Sequence, residues 1–124
     1  MSLRNNTICE YALLNKMIDA SIQSSCIDDH SKRFAILLNI LIEIIVNPLF
    51  AKYHMLCETL FYTNYHYVNM LLQDNKIPNG ELEDQDYEMI RQVIGLIKEE
   101  ILGAEGTNTD NKKRVEKLIV YYCD

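Results

Sequence analysis

Glycine and proline are scarce, four and two among 124 residues, which excludes collagen-like and low-complexity chains. It also leaves too few turn residues for an all-β fold. Basic side chains are in deficit, 12 Lys plus Arg against 18 Asp plus Glu, for a net charge of -6. An acidic surface repels phosphate backbones, so nucleic acid is not an expected partner. The longest greasy stretch, residues 34–46, covers 13 positions and is interrupted by Asn39 and Glu43. A membrane span needs about 20 apolar residues, so this stretch reads as a buried helix and no membrane is expected as a partner. The first seven residues, Met-Ser-Leu-Arg-Asn-Asn-Thr, hold no apolar leader core, and the expected location is cytoplasmic. The four cysteines, Cys9, Cys26, Cys57 and Cys123, follow no familiar disulfide spacing and are expected as free thiols.

Catalytic and cofactor signatures are missing as well. The chain has no Gly-x-Ser-x-Gly elbow and no glycine-rich phosphate loop. Glu10, Glu43 and Glu58 are followed three positions later by Leu13, Val46 and Phe61, so the Glu-x-x-His pairs of a di-iron bundle are absent. Placing Gly80 at the sixth position of a calcium loop puts Ile77 at the third and Asp86 at the twelfth, and neither supplies the required ligand. Neither His54 nor His66 falls on an inward face suited to haem. No cofactor, no small-molecule substrate and no enzymatic activity are expected.

What is present is helical periodicity. Apolar residues recur at three- and four-residue steps over residues 7–23, through Ile8, Tyr11, Leu14, Ile18 and Ile22, with Leu13 and Met17 widening the face. A second helix begins at Asp28 or Asp29 and runs to residue 46. Asn47-Pro48 ends it, and a long third helix is predicted over 48–73, with Phe50, Tyr53, Cys57, Leu60, Phe61, Val68 and Leu71 on one face. Residues 74–86 form an acidic loop. A fourth helix follows over 84–102 with the stripe Tyr87, Ile90, Ile94, Ile97 and Ile101. A fifth is predicted over 107–122, its Lys112, Lys113, Arg114 and Lys117 forming a solvated face. The expected fold is all-α: a single domain, residues 1–124, of about five helices around the hydrophobic second helix.

The second helix is apolar on nearly every side, with only Asn39 and Glu43 on one polar strip. Either the other helices wrap it, or part of it meets a partner or a second copy. The third helix concentrates Tyr53, Tyr62, Tyr65 and Tyr67. Tyrosine suits interfaces because it joins a large apolar body to a polar tip. Tyr62, Tyr65, His66, Asn69 and Met70 are therefore the candidate partner surface, with Asn39 and Glu43 a second candidate strip. Negative charge is concentrated in residues 74–88, six acids against Lys76, a patch able to steer a basic partner.

The expected function is a protein-interaction module: a small helical adaptor, inhibitor or chaperone-like protein that associates with itself. Two alternatives stand beside it. Cys26, His30, His54 and Cys57 provide two Cys and two His, the donor set of tetrahedral zinc or of a thiol-dependent protein. A helical bundle binding a small regulatory ligand leaves no motif to find.

Overall fold

The computed structural model describes residues 2–77 and 84–103, together with Lys113 and Lys117. The described residues are helical with no strand, and the fold is all-α. Helix α1 spans Ser2–Gln23, α2 Asp29–Val46, α3 His54–Thr63, α4 Tyr65–Asp74 and α5 Asp84–Gly103, with a 3-10 segment, Pro48–Tyr53, between α2 and α3.

Helix α1 starts five residues earlier than its periodicity suggests. No glycine or proline lies between Ser2 and Thr7 to stop the helix extending backwards. Tyr11 and Ile18 are buried, whereas Leu13 and Met17, expected inward, are 61% and 44% exposed. At 100° per residue Leu13 lies about 200° round from Tyr11, which puts it on the opposite side.

The start of α2 is capped as its sequence predicts. Asp28 accepts the Ser31 backbone N–H at 2.7 Å, in the extended conformation usual for a cap. The Ser31 hydroxyl in turn accepts the Ile77 N–H at 2.8 Å, and both residues are buried. That bond ties the segment after α4 to the first turn of α2. Helix α4 ends at Asn75, whose φ of 56° is the left-handed conformation that asparagine tolerates better than most residues.

Ten side chains of α2 are buried, from Ser31 to Ile45, and no residue of 34–46 is exposed. Helix α2 contacts α1, α3, α5 and the 3-10 segment. It therefore offers no exposed apolar side for a partner. Asn39 and Glu43 are half-buried.

The long third helix is interrupted twice. Phe50 leaves the helical region at φ -108°, ψ 31°, and Asn64 sits at φ -100°, ψ 12°. Pro48 begins the 3-10 segment. The Asn47 carbonyl accepts the Phe50 N–H at 3.0 Å and lies 2.8 Å from His54 Nε2, which keeps the turn tight. At the second break the Asn64 side chain donates to the Leu60 carbonyl at 2.8 Å, and its backbone N–H is shared between Leu60 and Phe61. Asparagine competes with the helix for its own carbonyls in this way. The inward face is nevertheless the predicted one: Phe50, Cys57, Leu60, Phe61, Val68 and Leu71 are buried. Tyr53, expected with them, is half-buried.

Ile90, Val93, Ile94 and Ile97 carry the buried stripe of α5. Apart from Lys113 and Lys117, which are helical and exposed, the predicted fifth helix over 107–122 lies outside the described residues, as do residues 78–83 of the acidic loop. No described helix is long and apolar enough to cross a membrane.

Candidate interaction surface

Tyr62 and Tyr65 flank the Asn64 break, one closing α3 and the other opening α4. They are 55% and 39% exposed, and their ring centroids lie 6.1 Å apart. Beneath them sits the buried Phe61, edge-on to Tyr62 at 6.0 Å and tilted against Tyr65 at 6.3 Å. Tyr11 of α1 meets Phe61 edge-on at 5.5 Å and reaches Tyr62 at 6.3 Å. Edge-to-face packing of this kind restricts ring motion, so the exposed pair stands on an aromatic base continuous with the core.

His66 is exposed and edge-on to Tyr67 at 5.3 Å, and Tyr67 rests against buried Phe34 of α2 at 6.1 Å. Asn69, exposed, and Met70, half-buried, stand four residues beyond Tyr65 and His66 and share their sides of α4. The five predicted surface residues thus line one continuous stretch across the α3–α4 junction.

On the other side of Tyr62 a shallow, open groove follows the outer side of the 3-10 segment and α3. Ala51, His54, Met55, Glu58, Thr59, Tyr62 and Thr63 line it. Met55 is 81% exposed. Its seven-residue spacing from Tyr62 places both on the same side of a helix, a signal available in the sequence that composition alone does not show. Tyr11 could not be found that way, because its contact with Tyr62 is tertiary.

The groove begins beside an exposed polar cluster joining the 3-10 segment to α5. Lys52 Nζ is 2.6 Å from Glu100 Oε1, and the Tyr53 hydroxyl donates to the same carboxylate. Burial first, then the Glu100 carboxylate, pushes the Tyr53 hydroxyl up to about 12. The Lys52 and Tyr53 hydrogen bonds hold Glu100 below the usual carboxylate range.

The four candidate zinc or thiol residues do not assemble. Cys26 is exposed in the α1–α2 connection, His30 and His54 are half-buried, and Cys57 is wholly buried. Among the described residues, no three His, Cys, Asp or Glu side chains are grouped as a metal ion requires. Periodicity put Cys57 at the centre of an apolar face, and its burial there raises the thiol to about 12, with Glu58 adding to the shift. Such a thiol is overwhelmingly protonated at neutral pH, which disfavours it as a nucleophile. Cys9, Cys26 and Cys57 are free.

Of the second candidate strip, Glu43 meets α1, accepting from Asn15 Nδ2 at 3.4 Å, a helix–helix contact within the chain; Asn39, one turn before it on α2, is half-buried. Compared with known protein families, curated proteins and solved structures, the chain matches none.

Proposed function

We propose that the chain is a non-enzymatic protein-interaction module of the cytoplasm, which docks a protein partner, a second copy included, on the α3–α4 junction. The observation that carries this reading is the exposed Tyr62–Tyr65 pair held from beneath by Phe61 and Tyr11. Interface energy concentrates in a few aromatic anchors, and anchors already fixed in place lose little conformational freedom on binding. Met55 and the threonines of the adjoining groove extend the contact area, while Glu58 and His54 supply polar edges. The free thiols of Cys9, Cys26 and Cys57 suit a reducing compartment.

A photoreactive phenylalanine analogue at position 62 is expected to give a discrete protein adduct in cells, with itself or another chain. The same analogue at exposed Gln92 of α5 serves as the control. Light scattering on a sizing column distinguishes self-association from a different partner. Tyr62→Ala is expected to weaken the association at least tenfold, the loss of about 1.4 kcal/mol that an aromatic anchor readily supplies. Equal labelling from positions 62 and 92, or none from either, overturns the proposal.

A further inference from the structure

Helices α1 and α2 form a helical hairpin, linked by residues 24–28 and sharing the most extensive helix–helix contact among the described elements. The apolar part of that contact, Leu14, Ile18 and Ile22 against a helix rich in leucine and isoleucine, is chemically uniform. Uniform aliphatic surfaces fit one another almost equally well after a slip of one turn, about 5.4 Å. Tyr11, packed on Phe61, is the aromatic exception on α1; the aliphatic packing between the two helices does not by itself select one register.

A polar seam interrupts that uniformity. Asn15 of α1 donates to Glu43 of α2 at 3.4 Å, and Asn39 lies one turn before Glu43 on the same strip. The side-chain oxygens of Asn15 and Asn39 are shut off from solvent, and neither accepts a hydrogen bond from the described residues. Buried unsatisfied acceptors destabilise a fold, so the seam is retained at a cost. A slip of one turn would take the Asn15 amide away from the half-buried Glu43 carboxylate, and that register is disfavoured. Single polar residues set register in this way in paired helices elsewhere. We infer that the Asn15–Asn39–Glu43 seam fixes the register of α1 on α2 and lowers stability in doing so.

Two spin labels read the register directly. One sits on exposed Cys9 of α1 and the other on Lys32→Cys near the start of α2, with Cys26→Ser and Cys123→Ser in the background and buried Cys57 left in place. The native seam is expected to give one narrow distance. Asn39→Leu with Glu43→Leu is expected to add a second distance displaced by about 5 Å, one helical turn. Adding Asn15→Leu to that pair removes both orphaned acceptors together with the donor they leave behind, and is expected to raise Tm by roughly 3–5 °C. Glu43→Gln, which keeps a hydrogen-bonding partner for Asn15, is expected to retain the single distance. Should the double variant fail to fold, Asn15→Leu alone tests the second distance from the opposite helix. A single unchanged distance in the apolar variants, or a fall in Tm when all three seam residues are leucine, overturns the inference.

Discussion

The Cys57 thiol, buried against the core of α3 and raised to about 12, is shielded from any reagent that needs a thiolate. Iodoacetamide at pH 8 is expected to label exposed Cys9 and Cys26 in the folded protein while sparing Cys57 until denaturant is added. Mass spectrometry of the labelled peptides checks this, and early modification of Cys57 contradicts the placement. Tyr53 makes a second residue-scale prediction. Its hydroxyl is held protonated in the fold, so the stability it contributes is complete below about pH 10 and declines as pH rises through its folded value. Absorbance titration of the tyrosines is expected to include a late component near pH 12 that Tyr53→Phe lacks. Gly95 offers a gain. It lies within α5, and a Cβ built there meets nothing within 4 Å. Gly95→Ala is expected to stabilise the protein by about 0.5–1 kcal/mol, since alanine removes backbone freedom that glycine loses on folding. Urea unfolding measures it, and a destabilised variant would mean that α5 is not helical at that point.

Capping dominates at the scale of the elements. Asp28→Ala is expected to cost about 1 kcal/mol, the usual worth of a helix cap. The carboxyl of Asp28 is held below its ordinary value chiefly by the Ser31 backbone N–H. Its contribution is therefore complete above about pH 4 and lost as pH falls through the folded value. Urea midpoints measured between pH 2 and pH 7 should fall more steeply for the native chain than for Asp28→Ala. These features were legible: Asp28 or Asn47 at a boundary acts locally, and the α5 stripe of Ile90, Ile94 and Ile97 is a clean three- and four-residue repeat. The breaks at Phe50 and Asn64 were not legible. The apolar period runs through both without interruption, and each break is accompanied by a side chain on a nearby carbonyl, His54 on Asn47 ahead of the 3-10 segment and Asn64 on Leu60 within α3. The exposure of Leu13 and Met17 runs against their apolar character but follows their angular position, well round the helix from Tyr11.

For the whole molecule, the evenness of α2 made its burial readable: a helix apolar on all sides has to be covered. What covers each side was not readable, since the contacts of α2 with α1, α3 and α5 join residues far apart in sequence. The candidate surface divides in the same way. The sequence located its tyrosines, but the aromatic base from Tyr11 to Phe61 and Tyr62 exists only in three dimensions. The bond from the Ile77 amide to the Ser31 hydroxyl belongs to this scale, because it joins residues 46 positions apart. It closes the chain from the start of α2 to the end of α4 into a loop, so neither end can fray without releasing the other. Amide hydrogen exchange at Ile77 is accordingly expected to be slow and to report the parting of the α4 end from the start of α2, making one buried proton a clock for the opening of the segment between them.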